Sequence, residues 1–209
     1  MYLLLIYLRG EFMNFDNIFN ILNINNKIEY YNCNRLKNIL DKGFKTGTIN
    51  EIIGMPYTGK TKLIIDLINE SCDEKIVLYI TTNNNSNDLF NKYLENTDNV
   101  VLVFNNQENY IRNIIKSIIK DVDMIIIDNI SEIVTINESK DYSIKKRQNL
   151  ENILQELYKL AYSNNKCIIL VNSYIYKDDI LTPKYNNVMQ SLCENRIEIK
   201  DNYELELKK

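Results

Sequence analysis

The chain has 209 residues, 45% of them hydrophobic, with a formal net charge of −3 and a pI near 5.2. That length fits one domain, or one domain with a short arm. The acidic balance argues against a strongly basic nucleic-acid binder, whose phosphate neutralisation needs clustered cations, though it leaves room for a local DNA-binding loop.

The four cysteines, Cys33, Cys72, Cys167 and Cys193, form no C-x-x-C pair, and the chain holds no histidine. This argues against a zinc site and reads as reduced core thiols of an intracellular protein, nuclear if eukaryotic and cytoplasmic if prokaryotic. Alanine occurs once, at Ala161, while Asn, Ile, Lys and Tyr abound. Such a bias suits an AT-rich coding sequence and puts more weight on each glycine and proline.

The first eight residues, MYLLLIYL, are apolar. The run is too short to span a bilayer and no small-residue cleavage site follows, so no membrane attachment is expected. The next four, RGEF, back-translate to a purine-rich stretch that suits a ribosome-binding site, so the start codon is Met1 or Met13. Between 14 and 34, Phe15, Ile18, Phe19 and Leu22 recur at spacings of three and four, predicting a short amphipathic helix. Residues 1–33 are expected to form a short arm, of which 1–12 are untranslated if Met13 is the start, and 34–209 a single core domain.

The chain then alternates. Strands are predicted over 49–53, 75–80, 100–104, 124–127 and 167–171, and helices over 60–70, 88–95, 107–120 and 150–163. Strands alternating with helices of this length indicate βαβ units and a parallel sheet. Their unbroken Ile/Val/Leu runs are those of strands covered on both faces. Segments 195–200 and 203–207 alternate apolar with charged residues, predicting an antiparallel edge hairpin turning at Asp201 and Asn202. In NNNSN, residues 83–87, Ser86 or Asn87 reads as a helix N-cap before Asp88.

Two of the five glycines lie in GMPYTGKT. Its residues are Gly54, Met55, Pro56, Tyr57, Thr58, Gly59, Lys60 and Thr61, and they match G-x-x-x-x-G-K-[ST] between a predicted strand and a predicted helix. Glycines let backbone N–H groups turn toward phosphate oxygens, a lysine there reaches the outer phosphates, and a threonine holds Mg²⁺ at the helix N-terminus. Chance matches at this composition run at about one in a thousand. ATP and Mg²⁺ are therefore the expected ligands. In VDMIIIDNI, residues 122–130, four apolar residues end in Asp128, the expected second magnesium-side residue.

These motifs sit in a longer pattern. NRLKNILDKGFKTGTINEIIGMPYTGKTKLI carries Leu36, Leu40, Gly43, Gly47, Ile49, Glu51 and Gly54 in order, followed by LYITT, IIIDNISEI, LYKLAYSNN, CIILVNS, NRIEIK and YELELKK. From residue 34 to about 207 the chain resembles the RecA-like recombinase family, especially the archaeal RadA/RadB and eukaryotic Rad recombinase branch. The resemblance implies an α/β RecA-like P-loop core, a mostly parallel twisted sheet with helices on both faces and an antiparallel edge hairpin. It also implies ATP binding and a role in homologous recombination and DNA repair.

Departures from the family pattern shape the expected activity. The family's water-positioning glutamate past the second strand falls on Asn83, and its γ-phosphate-sensing glutamine after the fifth strand falls on Ser173. An amide cannot accept the proton that a carboxylate can. Weak or no hydrolysis is therefore expected, with Glu51 and Glu108 as candidates for a displaced base. The family's N-terminal helical domain cannot fit in 33 residues and its Phe-x-x-Ala tether is absent. An accessory subunit docking on other recombinase subunits is expected.

Two segments lie where the family has its DNA loops. SIKKRQ offers Lys145, Lys146 and Arg147 to phosphates, or is a solvated first helical turn. In YIYKDDILTPKYNN, Tyr174, Tyr176 and Tyr185 are placed to stack on bases of single-stranded DNA, with Lys177 and Lys184 on phosphate, or form a tyrosine-rich loop.

The alternative is an active DNA-dependent ATPase or a DnaB-like or KaiC-like motor or switch of the same fold. A small-molecule kinase is disfavoured by scattered arginines, and a GTPase by the lack of Asn-Lys-x-Asp. A vestigial scaffold is disfavoured by the retained Lys60, Thr61 and Asp128.

Overall fold

A computed structural model describes residues 7–8, 11–12, 27–82, 85–95, 97–133, 142–177 and 180–208. Strands β1 (Tyr7–Leu8) and β2 (Glu11–Phe12) pair as an antiparallel hairpin. The helix predicted around Phe15 and Leu22 lies outside the described residues. A second hairpin, β3 (Tyr30–Tyr31) with β4 (Phe44–Lys45), flanks the short helix α1 (Asn34–Lys37).

The alternating core then runs through β5 (Ile49–Gly54), α2 (Lys60–Ser71), β6 (Val77–Thr81), α3 (Asn85–Tyr93), β7 (Val100–Phe104), α4 (Glu108–Ile118) and β8 (Met124–Asp128). It continues with α5 (Ile130–Ile133), α6 (Tyr142–Asn164), β9 (Cys167–Asn172), β10 (Tyr174–Lys177) and β11 (Ile180–Pro183). It closes with α7 (Asn186–Leu192), β12 (Asn195–Ile199) and β13 (Leu205–Lys208).

Seven strands form one sheet in the order β13-β12-β5-β9-β8-β6-β7. All neighbours from β12 to β7 are parallel, and β13 runs antiparallel to β12. This is the α/β class read from the sequence, edge hairpin included. The reason is visible in the strand registers. Side chains alternate across a strand, so a strand buried on both faces must be apolar throughout. Leu78, Ile80, Ile125, Ile127, Ile168 and Leu170 face one core with α4 and α6, while Val77, Tyr79, Met124, Ile126, Ile169 and Val171 face the other with α2. Helix α6 contributes Leu150, Leu154, Leu157 and Ala161 at helical spacing. Each fully buried large apolar side chain is worth roughly 1.5–3 kcal/mol.

The structure differs from the sequence expectations in three segments, the first being NNNSN, where helix α3 begins at Asn85, so that Ser86 and Asn87 lie inside it and neither is its N-cap. Helix α6 begins at Tyr142, well before residue 150, so SIKKRQ lies on its first turns. Those turns carry no apolar stripe, and periodicity alone does not mark them. Much of the segment 174–187 forms the β10–β11 hairpin and the start of α7.

Parallel strands bring their carboxyl ends to one side of the sheet. The ends of β5, β6, β8 and β9 converge there, the side on which open α/β sheets bind ligands.

Candidate phosphate-loop site

The loop between β5 and α2 is shaped by close approach. A Cβ on Gly54 would lie 2.5 Å from Thr58 Oγ1 and 3.1 Å from the Ile199 carbonyl oxygen, so only glycine fits. Gly59 has φ +89°, a left-handed conformation natural to glycine, and it caps α2. Thr58 is buried, its hydroxyl donating to the Met55 carbonyl at 2.9 Å. Pro56 and Tyr57 point outward, Tyr57 almost wholly exposed.

Lys60 Nζ donates to the carbonyls of Gly54 at 2.8 Å and Met55 at 2.7 Å, which folds its ammonium back over the loop. Burial lowers its pKa, opposed by the charges of Asp128 and Glu132. The loop thus holds a cation over its own carbonyls, at the N-terminus of a twelve-residue helix, a place that favours an anion.

Asp128 closes the other side. The Thr61 hydroxyl donates to Asp128 Oδ2 at 3.4 Å, long for an O–H···O bond. Tyr79, fully buried on β6, donates its hydroxyl to the same oxygen at 2.6 Å. Burial raises the Asp128 pKa, and the Tyr79 hydrogen bond and Lys60 charge oppose that rise. Among the described residues no three His, Cys, Asp or Glu side chains cluster as metal ligands. A loosely coupled hydroxyl and carboxylate suit magnesium, which takes few protein oxygens and completes its shell from phosphate and water.

Around Asp128 the strand ends are laced together. Thr82 N donates to the Asp128 carbonyl at 2.7 Å. Asn129 is buried, its N–H donating to Thr82 Oγ1 at 3.3 Å and its amide to Ser173 Oγ. Tyr79, Thr82, Asn129 and Glu132 are the members of this end of the sheet that sequence reasoning missed. Tyr79 reads in sequence as one more apolar strand residue, and only the register that sets β6 beside β8 reveals it.

The other predicted residues are placed as follows. Asn83 lies outside the described residues. Ser173 is engaged by Asn129 at the end of β9. Glu51 is fully buried, receiving Arg196 Nε at 2.5 Å and Asn172 Nδ2 at 2.7 Å, and Glu108 pairs with Arg112 at 3.0 Å. Both are structural ion pairs. Arg147 is on α6 and bonds Glu151 one turn on at 2.9 Å, as a solvated helical residue does. Lys145 and Lys146 share that helix, and their side chains are outside the described residues.

On the hairpin, Tyr176 is exposed, whereas Tyr174 donates to Glu198 and Tyr185 packs on the core beside α7. Lys184 is half-buried with its backbone bonded to Ser173 and Asn172. The Lys177 side chain is outside the described residues.

The class follows from this topology: parallel strands whose carboxyl ends carry the glycine loop and the aspartate make a P-loop NTPase core of RecA-like form. More particularly, the chain belongs to the ATPase family associated with various cellular activities (AAA), whose family model matches residues 52–200. It is similar to DNA repair and recombination protein RadB of Methanocaldococcus jannaschii, 28% identical over 149 residues, covering 66% of this chain and 70% of that protein. It is also similar to DNA repair and recombination protein RadB of Methanococcoides burtonii, 26% identical over 157 residues, covering 70% of this chain and 69% of that one. The resemblance to the RecA-like recombinases read from the sequence stands. Among the described residues no helix is long and apolar enough to cross a membrane.

Proposed function

We propose that this protein is an ATP-binding recombinase paralogue acting in homologous recombination and DNA repair, an accessory subunit that hydrolyses ATP slowly. Residues 34–209 form its ATPase core and 1–33 a short arm. Gly54–Thr61 cradle the phosphates, Lys60 neutralises the outer ones, and Thr61 and Asp128 hold Mg²⁺. Bound Mg²⁺ supplies charge neutralisation on the phosphates. The observation that carries the reading is the intact loop facing Asp128, combined with Asn83 and Ser173 at the positions where the resembled family has its glutamate and glutamine.

The similarity to two proteins named for DNA repair and recombination supports the cellular role. Edge strand β7 supports docking on another recombinase subunit, because Val101, Leu102 and Phe104 are exposed on it. The exposed Tyr176 on the β10–β11 hairpin is the proposed single-stranded DNA contact, with Lys184 at the base of the same hairpin as a second contact.

ATP turnover by the purified protein, with and without single-stranded DNA and beside Lys60→Ala, tests this. Slow turnover, little raised by DNA and absent in the variant, is expected. DNA-stimulated turnover of about 10 s⁻¹, an ordinary enzyme rate, would overturn the accessory reading in favour of an active motor.

A further inference from the structure

Asn83 leaves the proposed nucleotide site without the carboxylate that positions water in the resembled family. A carboxylate reaches the same end of the sheet by another route. Thr82 immediately precedes Asn83 and is tied to the end of β8 through its N–H on the Asp128 carbonyl. Its hydroxyl donates to Glu132 Oε2 at 2.5 Å. Glu132 is exposed on α5, four residues beyond Asp128. Its charge raises the pKa of both Lys60 and Asp128, so the three groups share one electrostatic field.

The turn that carries Glu132 is fixed from below. Asn129 Oδ1 accepts from Ser131 N at 3.0 Å and Ser131 Oγ at 2.7 Å, and the Asn129 carbonyl accepts from Glu132 N at 3.1 Å. The other candidate carboxylates, Glu51 and Glu108, are held in ion pairs with Arg196 and Arg112.

We propose that Glu132, held by Thr82, is the general base for ATP hydrolysis in this chain, acting from α5 where its relatives' fold would use the end of β6. Glu132 takes a proton from water as the water oxygen bonds to the terminal phosphorus. The bond from that phosphorus to the bridging oxygen breaks, and its electron pair leaves with ADP. The inference rests on the reading that Gly54–Thr61 bind Mg·ATP.

The test compares wild type, Glu132→Gln, Thr82→Val and Lys60→Ala as full chains. Turnover is measured by phosphate release, and affinities for Mg·ATP and for ADP with aluminium fluoride by calorimetry. A correctly placed base contributes about 100-fold or more. Glu132→Gln should therefore lose turnover about 100-fold, keep its ATP affinity within twofold, and bind the ADP–aluminium fluoride complex more weakly. Thr82→Val should show a smaller loss in the same direction, with an altered pH profile of turnover.

Unchanged turnover in Glu132→Gln would overturn the proposal. So would a wild type that binds Mg·ATP yet turns over no faster than Lys60→Ala, a result that leaves the binding reading standing. A wild type that fails to bind Mg·ATP would overturn both.

Discussion

Asp128 shows how a binding site is held ready at a cost in stability. Burial raises its pKa above the ordinary carboxylate value, so ionisation is less favourable in the folded state than in the unfolded chain. The associated stability is present below the unfolded pKa and is lost as pH rises through the folded one. At neutral pH the carboxylate therefore weighs against the fold until a cation joins it. Asp128→Asn keeps an acceptor for Tyr79 and Thr61 while removing the charge. Thermal unfolding without nucleotide or metal should show the variant a few degrees more stable at pH 7, with the gap closing near pH 4. A variant less stable than wild type at pH 7 would mean that Tyr79 and Lys60 already satisfy the charge. The carboxylate at the strand end is plain in the sequence, and the tyrosine that orients it is not, because a hydroxyl inside VLYIT has no local signature.

At the scale of elements, β12 is locked against β5 by a polar contact within an apolar sheet. Arg196 and Glu51 are both buried, directly opposed in the parallel register, with Asn172 and Asn186 completing their hydrogen bonds. Breaking a buried pair by removing one partner costs about 3–5 kcal/mol, while replacing both is often close to neutral. Arg196→Met should therefore destabilise the protein by about 4 kcal/mol in denaturant unfolding. The double variant Glu51→Leu, Arg196→Met, which replaces both charges by apolar side chains, should recover most of that loss. Equal losses in both would place the cost in packing instead.

Glu51 also marks what sequence reasoning misjudges. As a carboxylate near the loop it is a candidate displaced base with no supporting spacing, but the strand that carries its partner Arg196 lies 145 residues away, and distant pairing has no local trace. The central strands are legible because both faces of the sheet are covered there, giving unbroken apolar runs, and edge strand β7 carries the same kind of run although part of it is exposed. The first turns of α6 are not legible, because YSIKKRQN places no apolar residues at helical spacing. The β10–β11 hairpin was missed because neither strand shows a clean alternation.

Over the whole molecule, the parallel sheet places the glycine loop, Asp128, the Thr82–Glu132 pair and Ser173 at one end, although they come from segments spread from Gly54 to Ser173. The net charge of −3 means that any DNA contact depends on local groups and not on the overall field. The nucleotide site is thus the feature on which the rest of the functional reading depends. Isothermal titration of the purified chain with ATP, with and without Mg²⁺ and beside Lys60→Ala, measures it most directly. Saturable binding that needs Mg²⁺ and weakens at least tenfold in Lys60→Ala is the expected result. Binding that is indifferent to both Mg²⁺ and Lys60, or no binding at all, would contradict a phosphate site in Gly54–Thr61.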